Sequence, residues 1–319
     1  MNENKYVKIN QILLFSLAAL FIVLALSGTN RNNKPKSFND DQKNIGIYLD
    51  EWSELKKFAE TPDIIGWFEN WYGPRSFNKL KLCYENKTAI PLITWQPQNI
   101  SLQEISAGVH DEYITSYIQN ITDIAPDMDI LIRFAHEMEM RPTYRFAWYS
   151  WQAEKNPSAF IEAWQHIVAV SRQVNPKIKW VWSPNRADKY SDPFYPGDEY
   201  VDYISVTMNL RGDNEKFAEY RNFQSFYEDI GIREHLEKYG KKIIISELGY
   251  SSQSIPEKKE YLKSIFDFFQ KDTHIIAVIF FDKNSGEYGQ YKISDNKDLI
   301  NTFNGIVSEI VKNRDSQNQ

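Results

Sequence analysis

From residue 44 onward, short apolar runs alternate with longer stretches whose apolar positions recur at helical spacing. Ile45 to Leu49, Ile64 to Phe68, Ile90 to Thr94, Asp129 to Phe134, Lys179 to Trp182, Tyr203 to Val206, Ile243 to Ser246 and Ala277 to Phe281 predict eight strands. Helical spacing is clearest over Pro157 to Gln173, Asn222 to Tyr239, Pro256 to Gln270 and Asp295 to about Lys312. Asn156-Pro157 and Ile255-Pro256 set proline at helix starts, and Gly240 stops the helix before the seventh strand. Eight strand and helix repeats over about 270 residues fit a (β/α)8 TIM barrel, which takes about 250. An open doubly wound sheet competes, but its first strand normally runs into a glycine-rich phosphate loop; here Leu49-Asp50-Glu51-Trp52 stands in that place. A single barrel domain is therefore expected over 44–314, with a polar tail at 315–319.

The amino terminus has a different pattern. Lys5 and Lys8 precede an uncharged stretch from Ile9 to Asn30 whose apolar heart is Ile12 to Leu26. Small residues around Ala25-Leu26-Ser27 suit a cleaved signal peptide, while the whole uncharged stretch is long enough for a retained membrane anchor. Either reading of residues 1–30 sends the rest of the chain out of the cell. Residues 31–43 are polar and read as a linker.

Composition narrows the function. Over 319 residues, 37 Lys and Arg face 43 Asp and Glu for a net charge of −6, which offers no basic field to hold nucleic acid. The lone Cys83 closes no intrachain disulfide, and the histidines lack metal-ligand spacing, so no metal or other cofactor is expected. Aromatic residues make up 15% of the chain, a surplus for one core, and stacking on sugar rings is one use for it.

In a barrel of this class chemistry collects just past the strand ends. Glu137 ends the fourth strand's run, and period two places it with Leu131, Arg133 and Ala135. Glu247 ends the seventh, where the same counting aligns it with Ile243 and Ile245. Two carboxyl groups in the barrel mouth suit retaining glycoside hydrolysis, one as acid/base and one as nucleophile. Glu137, with apolar neighbours and an anion nearby, suits the protonated role. Glu247 needs a donor to stay ionised, and Arg133, costly in a barrel strand unless paired, is expected to supply it.

The ordered set Arg133-Phe134-Ala135-His136-Glu137-Met138, Trp148-Tyr149-Ser150-Trp151, Trp180-Val181-Trp182-Ser183-Pro184-Asn185, Tyr195 to Asp202 and Ile245-Ser246-Glu247-Leu248-Gly249 resembles glycoside hydrolase family 26. That family includes endo-β-1,4-mannanases and members acting on β-1,3-xylan or mixed-linkage β-glucan. The resemblance implies a TIM barrel with Glu137 as acid/base and Glu247 as nucleophile, His136 at the reactive subsite, and Trp148 or Trp151 in a sugar platform. Trp95, also past a strand end, is a further platform candidate. Where the family presents a tyrosine after strand six this chain has Thr207-Met208-Asn209, and Asn209 is the nearest polar equivalent. Where the family ends strand eight in tryptophan, Phe280 is expected to serve. The expected protein is an exported, monomeric, endo-acting retaining β-glycosidase, secreted or anchored to the membrane, whose partner is a mannan-like polysaccharide or a bacterial exopolysaccharide. The two missing aromatic groups motivate one alternative, a catalytically silent carbohydrate-binding barrel.

Overall fold

The computed structural model describes residues 36–49, 51–87, 89–140, 149–212, 222–285 and 289–317. The apolar segment at 1–30, the start of the linker and Trp148 lie outside the described residues. The eight expected strands are present: β1 (Asn44–Tyr48), β2 (Ile64–Asn70), β3 (Ile90–Gln96), β4 (Leu131–Phe134), β5 (Lys179–Trp182), β6 (Tyr203–Arg211), β7 (Ile243–Ser251) and β8 (Ile275–Phe281). They pair in parallel, in chain order, and β1 closes on β8.

Alternation along the strands sorts side chains into two apolar layers. Tyr48, Ile64, Leu92, Leu131, Val181 and Ile279 fill the barrel. Ile47, Ile65, Ile132, Trp180, Ile245 and Phe280 belong to the outer layer, with the helices. Gly66 makes room for the Tyr48 ring, because a Cβ there would lie 2.8 Å from it. The Pro157–Val174 helix begins as its sequence predicts, with the Asn156 side chain accepting from the Ala159 amide at 3.2 Å and proline in the first turn. The expected helix over Asn222 to Tyr239 is two helices, Phe223–Asp229 and Ile232–Glu237. Gly231, at φ 76°, adopts the left-handed conformation that separates them.

The amino-terminal face of the barrel is closed by chain that the sequence reads as linker. Phe38 packs edge-on against Tyr203 at 5.3 Å, and its amide donates to Asp129 at 2.8 Å. Asp63, just before β2, accepts from Lys36 and from Arg314 of the Lys297–Gln317 helix, tying the last helix to the first strands. The carboxyl-terminal face is left for chemistry.

Candidate active site

The fourth strand stops being regular at Phe134. Ala135 and Glu137 have φ of 40° and 56°, values that L residues adopt only when their surroundings hold them. The surroundings do so: the Ala135 amide donates to the Trp95 carbonyl at 3.1 Å and the Glu137 amide to the Ser183 carbonyl at 2.7 Å. The carbonyls of His136 and Glu137 accept from Trp151 Nε1 and Gln152 Nε2, each at 2.9 Å. This twist breaks strict alternation and brings both His136 and Glu137 to the barrel mouth.

Glu247 arrives by another irregularity. Ile243 and Ile245 pack in the outer layer and Ile244 inside the barrel, so unbroken alternation would turn Glu247 away from the mouth. Val206 pairs with Ile245 and Thr207 with Glu247, which leaves Ser246 as an extra residue on β7. That bulge restores Glu247 to the inner face. The parity shared with Ile243 and Ile245 therefore points outward, and it is the bulge that turns Glu247 to the mouth.

Beneath the two carboxylates lies Arg133, fully buried. Its Nε donates to Ser183 Oγ at 2.7 Å, Nη1 to Glu247 Oε1, and Nη2 to Thr207 Oγ1 at 3.1 Å. Thr207 Oγ1 in turn donates to Glu137 Oε1 at 2.7 Å, and Asn209 Nδ2 donates to Glu247 Oε2 at 3.3 Å. Ser183, Ser205 and Ser246 hydrogen-bond one another under the guanidinium. Burial pushes the Glu247 carboxyl above its ordinary value, while the Arg133 charge opposes that rise. Burial, reinforced by Arg133, holds the His136 imidazole well below its usual range, so it is neutral. Its Nε2 lies 4.0 Å from Glu247 Oε1.

Donor atoms of His136, Glu137 and Glu247 all fall within 4.8 Å of one another. By spacing alone the three could hold a divalent cation, but Arg133 already supplies a positive charge against Glu247. The cleft above them, of about 570 Å³, is also lined by Phe68, Phe281, Tyr149 and Arg211.

Several expected site residues lie elsewhere. Trp95 is wholly buried on the outer side of β3, packed on Tyr117 at 4.6 Å and Trp71 at 4.8 Å, so no sugar reaches it. Trp151 is 2% exposed; it holds the His136 carbonyl and stacks on Tyr149 at 4.5 Å, supporting the site from behind. Phe280 faces the helices and meets Phe303 edge-on at 5.2 Å. The ring at the mouth is its neighbour Phe281, which shares an inner face with Ile279. Phe68, Tyr149, Thr207, Arg211 and Phe281 line the cleft without being among the expected site residues. Period-two counting from Ile64, Ile279 and Asn209 would have found Phe68, Phe281 and Thr207. Tyr149 had no such signal, because it enters from a loop.

The sequence matches the family model described as glycosyl hydrolase family 26 over residues 91–280. It is 27% identical over 267 residues to endoglucanase H of Acetivibrio thermocellus, an alignment covering 76% of this chain. The chain spans only 28% of that relative's length. Among solved structures, the catalytic domain of an endo-β-1,4-mannanase from Bacillus sp. JAMB-750 superposes with a TM-score of 0.61 at 15% identity, covering 84% of this chain and 86% of that one. Bacillus subtilis mannanase man26 gives 0.57 at 16% identity, covering 86% of each chain. At these identities the structural likeness speaks for the fold.

Proposed function

Because the chain belongs to glycosyl hydrolase family 26, and is thus a glycoside hydrolase, we propose that it cleaves a β-linked polysaccharide within the chain by double displacement, with Glu247 as nucleophile and Glu137 as acid/base. One observation carries this reading: carboxylate oxygens of the two residues lie within 4.8 Å, with Arg133 on Glu247 alone of the pair. Retaining enzymes hold their carboxyl groups about 5 to 5.5 Å apart, whereas inverting ones need about 6.5 to 9.5 Å to admit a water between them.

In the first step a Glu247 oxygen bonds to the anomeric carbon as the glycosidic bond breaks, and Glu137 transfers its proton to the departing oxygen. In the second, water attacks the same carbon and gives its proton to Glu137, and Glu247 leaves as carboxylate. Arg133 stabilises that carboxylate in the free enzyme. Neutral His136, with Phe68 and Tyr149 at 5.8 and 4.9 Å, forms a rigid wall for the reacting sugar.

The named relatives are an endo-β-1,4-mannanase, a mannanase and an endoglucanase, which supports a β-linked hexose backbone as substrate class. Asn209 and Phe281 replace larger aromatic groups that the resemblance leads one to expect, and this favours a backbone other than plain mannan, such as a bacterial exopolysaccharide. The segment at residues 1–30 favours action outside the cytoplasm. Glu137→Gln and Glu247→Gln test the assignment: each should lose at least about a thousandfold in kcat on a polysaccharide the wild type cleaves, and full activity in both would refute it.

A further inference from the structure

Thr207 has one hydroxyl proton and two partners in this site. Arg133 Nη2, 3.1 Å away, can only donate, so Thr207 must accept from it. The remaining partner is Glu137 Oε1 at 2.7 Å. The arrangement that leaves no proton stranded sends the Thr207 hydrogen to that oxygen. If Oε1 itself carried a proton toward Thr207, the threonine's own hydrogen would have no acceptor among the described side chains. Oε1 is therefore held as an acceptor, and a proton on Glu137 belongs on Oε2.

Resting on the acid/base role given to Glu137, we propose that Thr207 is a positioning residue that fixes the transferable proton of Glu137 on Oε2. Arg133 orients the hydroxyl and, through its other nitrogen, holds Glu247. One guanidinium thus sets both carboxylates: Nη1 the nucleophile directly, Nη2 the acid through a threonine. Esterification of Glu247 removes the charge that Arg133 was paired with, and the Thr207 hydroxyl then stabilises Glu137 as the carboxylate that must accept a proton from water. Atoms and protons balance in each step with no further reactant.

Thr207→Val keeps the shape and removes the hydroxyl, and Thr207→Ser restores it. On 2,4-dinitrophenyl and phenyl β-glycosides of a sugar the wild type accepts, Thr207→Val should lose about ten- to a hundredfold in kcat/KM with the phenyl leaving group, which needs acid assistance. It should lose less than about threefold with dinitrophenol, which does not. The alkaline limb of its kcat/KM profile should move to higher pH, and Thr207→Ser should recover both properties. Equal losses with both leaving groups, or an unmoved limb, would overturn the proposal. Carbon-13 titration of the Glu137 carboxyl in Glu247→Gln, with and without Thr207→Val, needs no substrate. A midpoint unchanged by the valine would sink the proposal even if Glu137 proves catalytic, whereas a raised midpoint beside inactive wild type would fault only the catalytic reading.

Discussion

Arg133 Nη1 donates to Glu247 Oε1 at the floor of the cleft, where Arg133 is fully buried and Glu247 nearly so. Removing one member of such a pair leaves the other charge buried and unmatched, at about 3 to 5 kcal/mol. Arg133→Met should therefore lower the unfolding free energy by about that amount, measured by urea titration. Arg133→Lys keeps a charge but cannot reach Ser183, Glu247 and Thr207 together, so its stability should fall less and its kcat by about a hundredfold or more. Equal kcat in Arg133→Lys and wild type would contradict the role given to the fork.

The attacking form of Glu247 is the carboxylate, and burial raises its pKa above the ordinary 4.5 despite Arg133. Protonation removes the nucleophile, so kcat/KM should fall with decreasing pH through a midpoint above 4.5. An acid limb below that value in a pH-rate profile of folded enzyme would show that the carboxylate is better stabilised than its burial allows.

Phe280 and Phe281 are neighbours with opposite duties. Phe280→Ala opens a cavity between barrel and helix and should cost about 3 to 5 kcal/mol of stability, with little change in the activity of the folded fraction. Phe281→Ala should do the reverse, raising KM severalfold with a smaller thermal effect. A KM change in Phe280→Ala as large as that in Phe281→Ala would place both rings wrongly.

At the opposite face, burial alone would raise the Asp63 carboxyl, but hydrogen bonds and charge from Arg314 and Lys36 outweigh it and bring it below the usual 3.8. A depressed carboxylate contributes stability above its unfolded pKa and loses it as pH falls through the folded one. Arg314→Met should accordingly destabilise the barrel more at pH 7 than at pH 3 in thermal melts. The same loss at both values would assign Arg314 a packing role only.

The strand and helix periodicity carried the barrel, because eight apolar runs with no glycine-rich loop leave few other architectures. Site placement was less readable, since it turns on departures from periodicity. His136 and Glu137 both face the mouth because Ala135 and Glu137 take left-handed backbone, and Glu247 does so because Ser246 is an inserted bulge residue. No count along the strand reveals either. Trp95 lies just past a strand end and Phe280 stands where the resemblance implies a tryptophan, yet each sits on the outward parity, where large rings seal barrel to helix. Asn209 is expected only through the resemblance, as the nearest polar equivalent of the family's tyrosine after strand six, and its side chain does donate to Glu247.

The most direct test is to inactivate the enzyme with a 2-deoxy-2-fluoro-β-glycosyl fluoride of an accepted sugar and map the adduct by peptide mass spectrometry. A single covalent glycosyl group on Glu247, absent from Glu247→Gln, is the expected result. No adduct, together with inversion of anomeric configuration in the first-formed product by proton NMR, would contradict double displacement at this site.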